Sequence, residues 1–349
     1  MKRFSILIAA LCLCLTGCGK QTTEAAAQIF AMDTVMEVAA YGEHAEQAVK
    51  YTEKRIKELE NRLSRTKADS LVSGLNRDGS IRHLTYDYWN LIARAKEYRD
   101  ATNGAFDITI APIMDAWGFT GDQFRVPEQS ELNELLKHVN SDEIQIQEEP
   151  AHSVTLGEGQ AIDLGGIAKG YTSDLVEQTF RANGIESGKI SLGGNVFVLG
   201  GKPDGSDWRV GIKDPRNESG LAAILSLRDA YAITSGGYER YFEENGKTYH
   251  HIIDPSTGYP ADSGLLSVTV VAADNGPDWA GAGNGAMCDA FSTALFVMGE
   301  EQALDFWRNG GYDFDLVLVT EDGRVVITAG LADRFEEVKD SGYTYETVS

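Results

Sequence analysis

The sequence is poor in cysteine, with four such residues among 349. Cys12 and Cys14 lie inside an apolar N-terminal segment and Cys18 lies at its end, so Cys288 alone remains for the folded body. An internal disulfide is therefore excluded for that body. At 42% hydrophobic residues the chain can instead be held by a buried core, in one large domain or in two lobes that share a cleft.

Positive charge is also scarce, since 31 lysines and arginines stand against 53 aspartates and glutamates, for a formal net charge of -22. Such a surface repels the phosphates of nucleic acids and anionic lipid headgroups, so nucleic-acid binding is excluded as a function. If the protein binds an anionic ligand, it has to do so locally, with backbone amides, a metal ion or a few placed cations.

The apolar run at the N-terminus, Phe4 to Leu15, is too short to cross a bilayer. Lys2 and Arg3 precede it and supply a positively charged start. This combination is typical of a secretory signal peptide, which we predict at residues 1–17.

The signal ends in Leu15-Thr16-Gly17-Cys18, which resembles the bacterial lipobox, where a peptidase cuts before a lipidated cysteine. Cys18 would then be the lipidated mature N-terminus, followed by a polar tether at 18–27 and a folded domain at 28–349. The expected location is the extracytoplasmic face of the cell membrane, with the lipid as the sole membrane attachment. The alternative is ordinary signal cleavage beside an incidental cysteine.

Hydrophobic periodicity predicts an α+β fold with mixed antiparallel sheets and flanking helices. The sequence shows no repeat of fixed period and no change of composition that would mark a linker. Helices are predicted at 43–63, 85–103, 128–139, 174–182, 289–298 and 302–307. Strands are predicted at 35–41, in a pair over 141–149, and at 189–199, 208–212, 222–227, 231–234, 265–272, 315–319 and 324–328.

The first chemical motif runs from Ala161 to Gly170, where an apolar run ends in Asp163 and two glycines precede Lys169 at the entrance of a helix. Glycines there allow backbone amides to approach a ligand closely, and a helix N-terminus favours a phosphate. Lys169 would add a point charge. The alternative is a plain tight turn between a strand and a helix.

The second motif runs from His250 to Gly258, where His251 and Asp254 flank two apolar residues predicted to lie on opposite faces of a strand. His251 would act as a base or hold a phosphate. The alternative is a structural histidine next to a turn that Asp254 opens.

The third motif runs from Cys288 to Ala294 and opens an apolar helix. Asp289 and Thr293 are four residues apart and therefore project from one helical face. A carboxylate and a hydroxyl suit a hard cation such as Mg²⁺, which prefers oxygen ligands. The alternative is an aspartate that caps the helix and a threonine that packs in the core.

Taken in order, the motifs resemble those of the ApbE family, the FAD:protein FMN transferases, over nearly the whole mature chain. The segments that carry the resemblance are Met32-Asp33-Thr34, Gly104 to Thr109, Asp163 to Gly170, Ser191 to Asn195, Thr234-Ser235-Gly236, His251 to Gly258 and Asp289 to Thr293.

The resemblance implies an ApbE-like (T-fold-like) domain with a deep FAD cleft, and it assigns residues of this chain to that cleft. Mg²⁺ would be held by Asp289, Thr293 and the backbone carbonyl of Gly166. The residues implied to bind FAD are Met32, Thr66, Ala105, Phe106, Asp107, Asp163, Lys169, Gly194, His251 and Ile252.

The implied activity is Mg²⁺-dependent transfer of FMN from FAD to a threonine or serine hydroxyl of an exported acceptor protein, with release of AMP. Mg²⁺ would neutralise the pyrophosphate oxygens and the departing AMP. The proton of the acceptor hydroxyl would pass to His251, Asp254 or Asp289, which the sequence does not rank. The chain lacks the Asp-Gly-x-Ser/Thr-Gly-Ala-Ser/Thr acceptor pattern, which is expected instead in its protein partner.

Two positions depart from the family pattern. Asp33 stands where the family usually has glycine, and Thr66 stands where many relatives place a tyrosine over the flavin. A more open site would admit water, so hydrolysis of FAD to FMN and AMP is an alternative, as is flavin binding without catalysis. A glycine-rich insertion from Asn275 to Ala286 is interpreted as a lid or a partner-docking surface.

Overall fold

A nine-stranded sheet organises the part of the chain that the computed structural model describes, which comprises residues 23–121, 123–274, 276 and 283–349. Its helices are α1 (Ala45–Leu63), α2 (Leu71–Asp78), α3 (Tyr86–Ala101), α4 (Ala111–Trp117), α5 (Gln129–Leu135), α6 (Ala168–Ala182) and α7 (Asn284–Asn309). Its strands are β1 (Glu24–Ala31), β2 (Thr34–Tyr41), β3 (Ser80–Arg82), β4 (Gln145–Gln147), β5 (Ser153–Thr155), β6 (Ser187–Leu192), β7 (Asn195–Leu199), β8 (Trp208–Asp214), β9 (Asn217–Leu227), β10 (Ala230–Gly236), β11 (Tyr241–Glu244), β12 (Lys247–His250), β13 (Leu265–Ala273), β14 (Asp315–Thr320), β15 (Arg324–Thr328), β16 (Phe335–Glu337) and β17 (Thr344–Val348).

The strand order in the central sheet is β1-β2-β6-β7-β10-β13-β14-β15-β17. Neighbouring strands are antiparallel along the sheet until its last pair, β15 and β17, which is parallel. The strands in the middle are buried on both faces, as expected for a sheet that is covered on both sides. The α+β fold with antiparallel sheets and flanking helices, predicted from the sequence, is confirmed.

One face of the central sheet is covered by helices α1, α6 and α7. Helix α1 buries a single stripe, formed by Ala48, Thr52, Ile56, Leu59 and Leu63, at spacings of three or four residues. Most of its charged residues point to solvent, and Glu60 faces the β1–β2 turn. Helices α6 and α7 are buried over much of their first turns and lie side by side in this core.

The opposite face is covered by a small sheet of order β16-β9-β8. Trp208, Val210 and Ile212 alternate along β8 and pack with Val198 of β7 and Ala232 of β10. This alternation is the two-residue period of a strand with one buried face. A second hydrophobic core therefore holds the small sheet against the central sheet.

The predicted tether at 18–27 extends too far. Residues 24–27 form the first half of β1 and pair with β2, with Glu24 opposite Tyr41. The signal peptide at 1–17 and the lipidated Cys18 lie outside the described residues. Within the described ranges, no helix is both long and apolar enough to cross a bilayer.

The strand pair predicted at 141–149 is wrong in part. Ser141–Glu143 form a short 3-10 helix, and β4 pairs with β5 instead of with a neighbour inside that segment. The backbone N–H of Ser141 donates to the carboxylate of Asp107 at 3.0 Å, which holds this stretch out of any strand.

Helices α6 and α7 begin earlier than predicted, at Ala168 and Asn284. Helix α7 includes both helices predicted near the C-terminus, with a break of the helical geometry at Gly299, whose φ is 79°. Asp289 therefore lies inside α7, so its alternative role as the N-cap of that helix is wrong. Of the insertion from Asn275 to Ala286, residues 275 and 277–282 lie outside the described residues.

The β1–β2 connection consists of Met32 and Asp33, whose φ angles are 51° and 58°. Two positive φ angles in a two-residue hairpin loop are typical of a type I′ turn, and a residue with a Cβ atom is strained there by about 1 kcal/mol. Asp33 thus adopts the geometry for which the family's usual glycine is suited.

We expect Asp33→Gly to raise the free energy of unfolding by about 0.5 kcal/mol, because the relief of strain outweighs the greater freedom of glycine in the unfolded chain. Urea unfolding measures this difference. Asp69→Gly is the matched control, since Asp69 is exposed and has a negative φ, and it should lower stability. A less stable Asp33→Gly protein would contradict the turn assignment.

Candidate active site

A cleft of about 450 Å³ opens at the end of the central sheet where the β1–β2 turn, the β6–β7 turn and the end of β10 meet the first turns of α6 and α7. Segments after α1, after α3 and after β12 complete its wall. Residues predicted from the sequence that line this cleft are Met32, Thr66, Ala105, Phe106, Asp107, Asp163, Gly166, Lys169, His251, Ile252, Asp289 and Thr293.

Two predicted site residues, Gly194 and Asp254, do not line the cleft. In the β6–β7 turn, Gly193 faces the cleft and Gly194 is exposed. Asp254 accepts hydrogen bonds from the backbone N–H and the hydroxyl of Ser256, at 2.8 and 2.7 Å. Asp254 thus closes a turn that brings Pro255 to the cleft wall, in agreement with its structural alternative.

Asp289 is the most completely buried acid of the cleft wall, with 4% of its surface exposed. Its Oδ2 accepts the backbone N–H of Gly170 at 2.8 Å, the N–H of Lys169 also bonds to it, and Oδ1 accepts Nδ2 of Asn195 at 3.0 Å. Burial raises the pKa of Asp289, while the Lys169 ammonium and these donors lower it.

This arrangement changes the interpretation of the first motif. The N-terminus of α6 was predicted to favour a phosphate, but the N–H groups of Lys169 and Gly170 bond to Asp289 instead. The partial positive charge of the helix start therefore stabilises a carboxylate at the cleft. A phosphate would meet the Lys169 side chain and not these two amides.

Thr293 and Gly166 are neighbours across the cleft. A Cβ atom on Gly166 would lie 3.4 Å from the hydroxyl of Thr293 and 3.1 Å from the Phe106 ring, so a side chain at this position would displace both. The Thr293 hydroxyl lies 3.2 Å from that of Ser235 on β10. Asp289 and Thr293 of α7 and Gly166 of the turn before α6 thus lie together in the cleft wall.

His251 does not lie in a strand, because β12 ends at His250. The Nδ1 atom of His251 lies 3.1 Å from the carbonyl oxygen of Arg240. A carbonyl only accepts, so Nδ1 carries the proton and Nε2 is left as an acceptor in the neutral ring. Burial lowers the pKa of His251 to about 4, the Arg240 carbonyl opposes this, and the Lys169 charge lowers it further.

The loop that carries Ile252 is anchored by the residues on either side. His250 bonds through Nε2 to the carbonyl of Ala261 at 3.0 Å, and the indole N–H of Trp117 donates to the carbonyl of Gly258 at 2.7 Å. His250 is therefore a structural histidine, in contrast to His251.

Asp107 contributes to the cleft wall but uses its carboxylate within the protein. It accepts the backbone N–H and the hydroxyl of Thr109 and the backbone N–H of Ser141, and Arg99 Nε lies 3.6 Å away. These bonds fix the turn that places the Phe106 ring against Gly166. Asp107 consequently positions the wall instead of offering a free carboxylate to a ligand.

Arg65 is a cleft residue that the sequence analysis missed. Its side chain is 11% exposed and donates to Thr120 at 2.6 Å, to Asp115 at 2.6 Å and to Asp163 at 3.4 Å. Its Nε has no partner in the described structure. Asp163 also accepts the N–H of Gly165 at 2.8 Å, so Arg65 and Asp163 together hold the glycine turn.

Thr66 lies at the exposed rim of the cleft, where its hydroxyl is 3.0 Å from that of Ser64. Beside it, Lys67 donates to Glu60 at 2.8 Å, and Glu60 accepts the backbone N–H of Met32 at 3.0 Å. The loop after α1 is thereby tied to the β1–β2 turn, and Thr66 itself adds no aromatic ring to the rim of the cleft.

We expect the contribution of His251 to stability to fall as the pH decreases from 6.5 to 4. The unfolded chain binds a proton at His251 near pH 6.5, whereas the folded protein binds it only near pH 4, so acid favours unfolding in this window. The slope contributed by this residue is at most about 1.4 kcal/mol per pH unit. His251→Gln should flatten it, as measured by urea unfolding across this range. The exposed His44→Gln is the control, and equal slopes in wild type and His251→Gln would contradict the assignment.

The fold and the cleft define an α+β enzyme whose site combines a buried carboxylate, two neutral oxygen donors, a neutral histidine and a set of placed cations. Lys169, Arg65 and Arg240 bring positive charge into a chain that is acidic elsewhere. Such a set is suited to a ligand that carries phosphates.

Comparisons with known proteins give the family. A family model, the ApbE family, matches residues 32–316. An FAD:protein FMN transferase of Treponema pallidum is 32% identical over 81% of this chain and 80% of its own length. A protein of the same name from Klebsiella pneumoniae is 34% identical over 82% of this chain and 86% of its own length. The chain belongs to the ApbE family.

Solved structures agree with this assignment. The crystal structure of the ApbE protein from Thermotoga maritima matches with a TM-score of 0.78 and 31% identity, over 91% of this chain and 97% of that one. The apo flavinyl transferase ApbE of Pseudomonas stutzeri matches with a TM-score of 0.73 and 27% identity, over 86% of this chain and 92% of that one.

Proposed function

We propose that this protein is an FAD:protein FMN transferase that modifies exported proteins. The acceptor's threonine or serine oxygen attacks the phosphorus of the FMN half of FAD, and a new phosphoester bond forms. The bond from that phosphorus to the bridging oxygen breaks, and this oxygen leaves with AMP. The observation that carries the proposal is the convergence of Asp289, Thr293, Lys169 and His251 on one cleft, in a chain whose curated relatives bear this name.

The oxygen donors of the cleft fit Mg²⁺. Asp289 offers a carboxylate, Thr293 a hydroxyl and Gly166 a backbone carbonyl, which is the hard donor set that this ion prefers. Within the described residues, no group of three or more histidine, cysteine or acidic side chains forms a metal cluster. The site would thus rely on one carboxylate plus neutral oxygens, and substrate phosphates would complete it. Mg²⁺ bound there would neutralise the pyrophosphate and the departing AMP.

His251 is the base that the geometry supports best among the three candidates. Its Nε2 is free to accept a proton, whereas Asp254 bonds to Ser256 and Asp289 bonds to two helix amides. The low pKa of His251 makes it a weak base. An anionic phosphate beside the ring favours the protonated form and raises that pKa once substrate is bound.

The cations of the cleft would hold the remaining charge of FAD. Lys169 lies close enough to Asp289 and to His251 for its charge to lower the pKa of both groups. Arg240 is fixed by a bond of 2.8 Å to the carbonyl of Phe119 and lies 3.7 Å from Asp33. These residues orient the pyrophosphate, and the protein's main contribution is positioning.

One assay tests the proposal against its alternatives. The mature protein is incubated with FAD, Mg²⁺ and an acceptor domain that carries the Asp-Gly-x-Ser/Thr-Gly-Ala-Ser/Thr pattern. Flavin fluorescence that survives denaturing electrophoresis, and that disappears when the acceptor hydroxyl residue is changed to alanine, supports transfer. FMN and AMP formed without acceptor would indicate hydrolysis, the alternative raised by the threonine at position 66. Retention of intact FAD would indicate binding alone.

The location belongs to the same proposal. Processing at the lipobox would attach the enzyme through Cys18 to the outer face of the cell membrane, where exported acceptors fold. Metabolic labelling with a fatty-acid analogue checks this, and Cys18→Ser should abolish both the label and membrane association. A labelled Cys18→Ser protein would contradict the assignment.

A further inference from the structure

Helices α6 and α7 touch through their backbones at one point in their first turns. A Cβ atom on Gly170 would lie 2.1 Å from the carbonyl oxygen of Gly285. A Cβ atom on Gly285 would lie 2.5 Å from the carbonyl oxygen of Gly170. Both glycines are fully or nearly fully buried, so these two helices meet at a distance that only glycine permits.

Around this contact, each helix supplies the acid that caps the other. The N–H of Gly170 donates to Asp289 of α7 at 2.8 Å, and the N–H of Gly285 donates to Asp174 of α6 at 2.8 Å. In both helices the acid follows the glycine by four residues, so it projects from the same face. We call this arrangement the reciprocal cap of Gly170, Asp174, Gly285 and Asp289.

Asp174 makes more bonds in this cap than the single bond from Gly285. Its other oxygen accepts the N–H groups of Ala286 at 2.9 Å and Gly283 at 3.1 Å. The Tyr231 hydroxyl lies close enough to lower the pKa of Asp174. Gly283 itself offers α7 no side-chain cap. The start of α7 thus depends on a carboxylate from another helix.

Asp174 lies outside the wall of the cleft. Its side chain is 2% exposed and does not line the cleft. Keeping a carboxylate in such a place is costly, since burial raises its pKa to about 7 although the three N–H groups and the Tyr231 hydroxyl lower it. Asp163 and Lys169, which belong to the first motif, line the cleft. Asp174 follows that motif and has no role in the proposed function.

We infer that Asp174 is a positioning residue, which holds the first turn of α7 so that Asp289 and Thr293 meet Gly166 across the cleft. The inference rests on the proposed function, which assigns Asp289, Thr293 and Gly166 to Mg²⁺. Asp289 lies one turn after Gly285. If the N–H groups at the start of α7 lost their bonds to Asp174, the first turn would fray and the turn that carries Asp289 would be released. The reciprocal cap also ties that turn to Lys169, because Asp289 accepts the N–H groups at the start of α6.

Asp174→Asn tests this, because the amide keeps the shape but turns one acceptor into a donor that faces N–H groups. We expect Mg²⁺ to bind at least about tenfold more weakly, as for other residues that orient a metal ligand, with FAD affinity measured without metal changed less than twofold. Mg²⁺ binding is measured by competition with Mn²⁺ in electron paramagnetic resonance. Amide hydrogen exchange over residues 283–293 is expected to accelerate at least tenfold.

Asp214→Asn is the matched control, since Asp214 is a buried carboxylate of β8 that accepts the Tyr343 hydroxyl at 2.6 Å and the N–H of Arg216 at 2.9 Å. It should destabilise the fold without changing Mg²⁺ affinity or exchange in 283–293. A merely structural role for Asp174 predicts the same for Asp174→Asn, and that result would overturn the inference.

If Asp174→Asn does not fold, Tyr231→Phe removes the hydroxyl group that lowers the pKa of Asp174 and retains the ring. We expect about threefold weaker Mg²⁺ binding and faster amide hydrogen exchange in residues 283–293. The inference would be overturned if neither quantity changed. The exchange measurement needs neither metal nor FAD. A wild-type protein without Mg²⁺ affinity would therefore count against the proposed function, while the exchange result still decides the role of Asp174.

Discussion

Asp289→Ala is expected to lower the rate of FMN transfer by on the order of 10³-fold and to change FAD affinity less than tenfold. The carboxylate is the one charged oxygen donor that we propose for the metal, and the metal would stabilise the charge that develops on the leaving AMP. The substitution is therefore expected to affect the chemical step more than the binding of FAD. Single-turnover kinetics with saturating FAD measure the rate, and quenching of flavin fluorescence measures the affinity.

Two further variants separate the roles of Asp289. Asp289→Asn keeps an oxygen that can accept the N–H of Gly170 while it removes the charge, so it should retain the fold of α6 and still lose transfer. Thr293→Val preserves the shape of the neighbouring ligand and should lose less activity than Asp289→Ala. Full activity of Asp289→Ala with an undiminished requirement for Mg²⁺ would refute the assignment of Asp289.

Gly170→Ala is expected to lower the free energy of unfolding by about 3 kcal/mol or more, the upper range for an added methyl group in a packed interior. The new Cβ would lie 2.1 Å from the carbonyl oxygen of Gly285 and 2.6 Å from the Cβ atom of Asp289. Backbone atoms on both sides leave no side chain that could rotate away. The helices would have to separate, which would also break the bond from Gly170 to Asp289.

Urea unfolding measures this loss, and transfer activity should fall with it. Gly74→Ala is the matched control, because Gly74 lies inside α2 and an added Cβ atom would come no closer than 3.9 Å to another atom. That change should stabilise the protein by about 0.5–1 kcal/mol, the usual difference between alanine and glycine in a helix. A Gly170→Ala protein as stable as wild type would contradict the close contact of α6 and α7.

Local patterns in the sequence were sufficient to predict much of the fold. The stripe of α1 and the alternation along β8 each encode which face is buried, so their elements were found close to their observed bounds. The starts of α6 and α7 were missed because neither helix has a capping side chain of its own. Their caps come from distant residues, which no local window contains. For the same reason, the sequence did not reveal the bond from Ser141 to Asp107, which holds part of a predicted strand pair out of any strand.

The family motifs were sufficient to predict many of the residues that form the site. The contacts between the motifs could not be predicted from the sequence. Asp289 belongs to a motif, but its bond to Asn195 and its place at the start of α6 depend on the tertiary fold. Arg65 was missed because a buried arginine and an exposed one look alike in a sequence. Asp254 and His251 appeared equivalent as candidate bases, and only the bonds to Ser256 and to Arg240 distinguish them.

The direction of β1 sets how far from the lipid the enzyme could work. The strand enters the sheet at Glu24 and ends at Ala31, next to Met32 of the cleft wall, a length of about 26 Å for eight residues of strand. The chain from Cys18 to Glu24 adds at most about 20 Å when fully extended. With the lipid in place, the cleft would be confined to a shell within about 45 Å of the bilayer. Acceptors embedded in the same membrane would then be met at a high effective concentration, an advantage that a freely diffusing acceptor would not share.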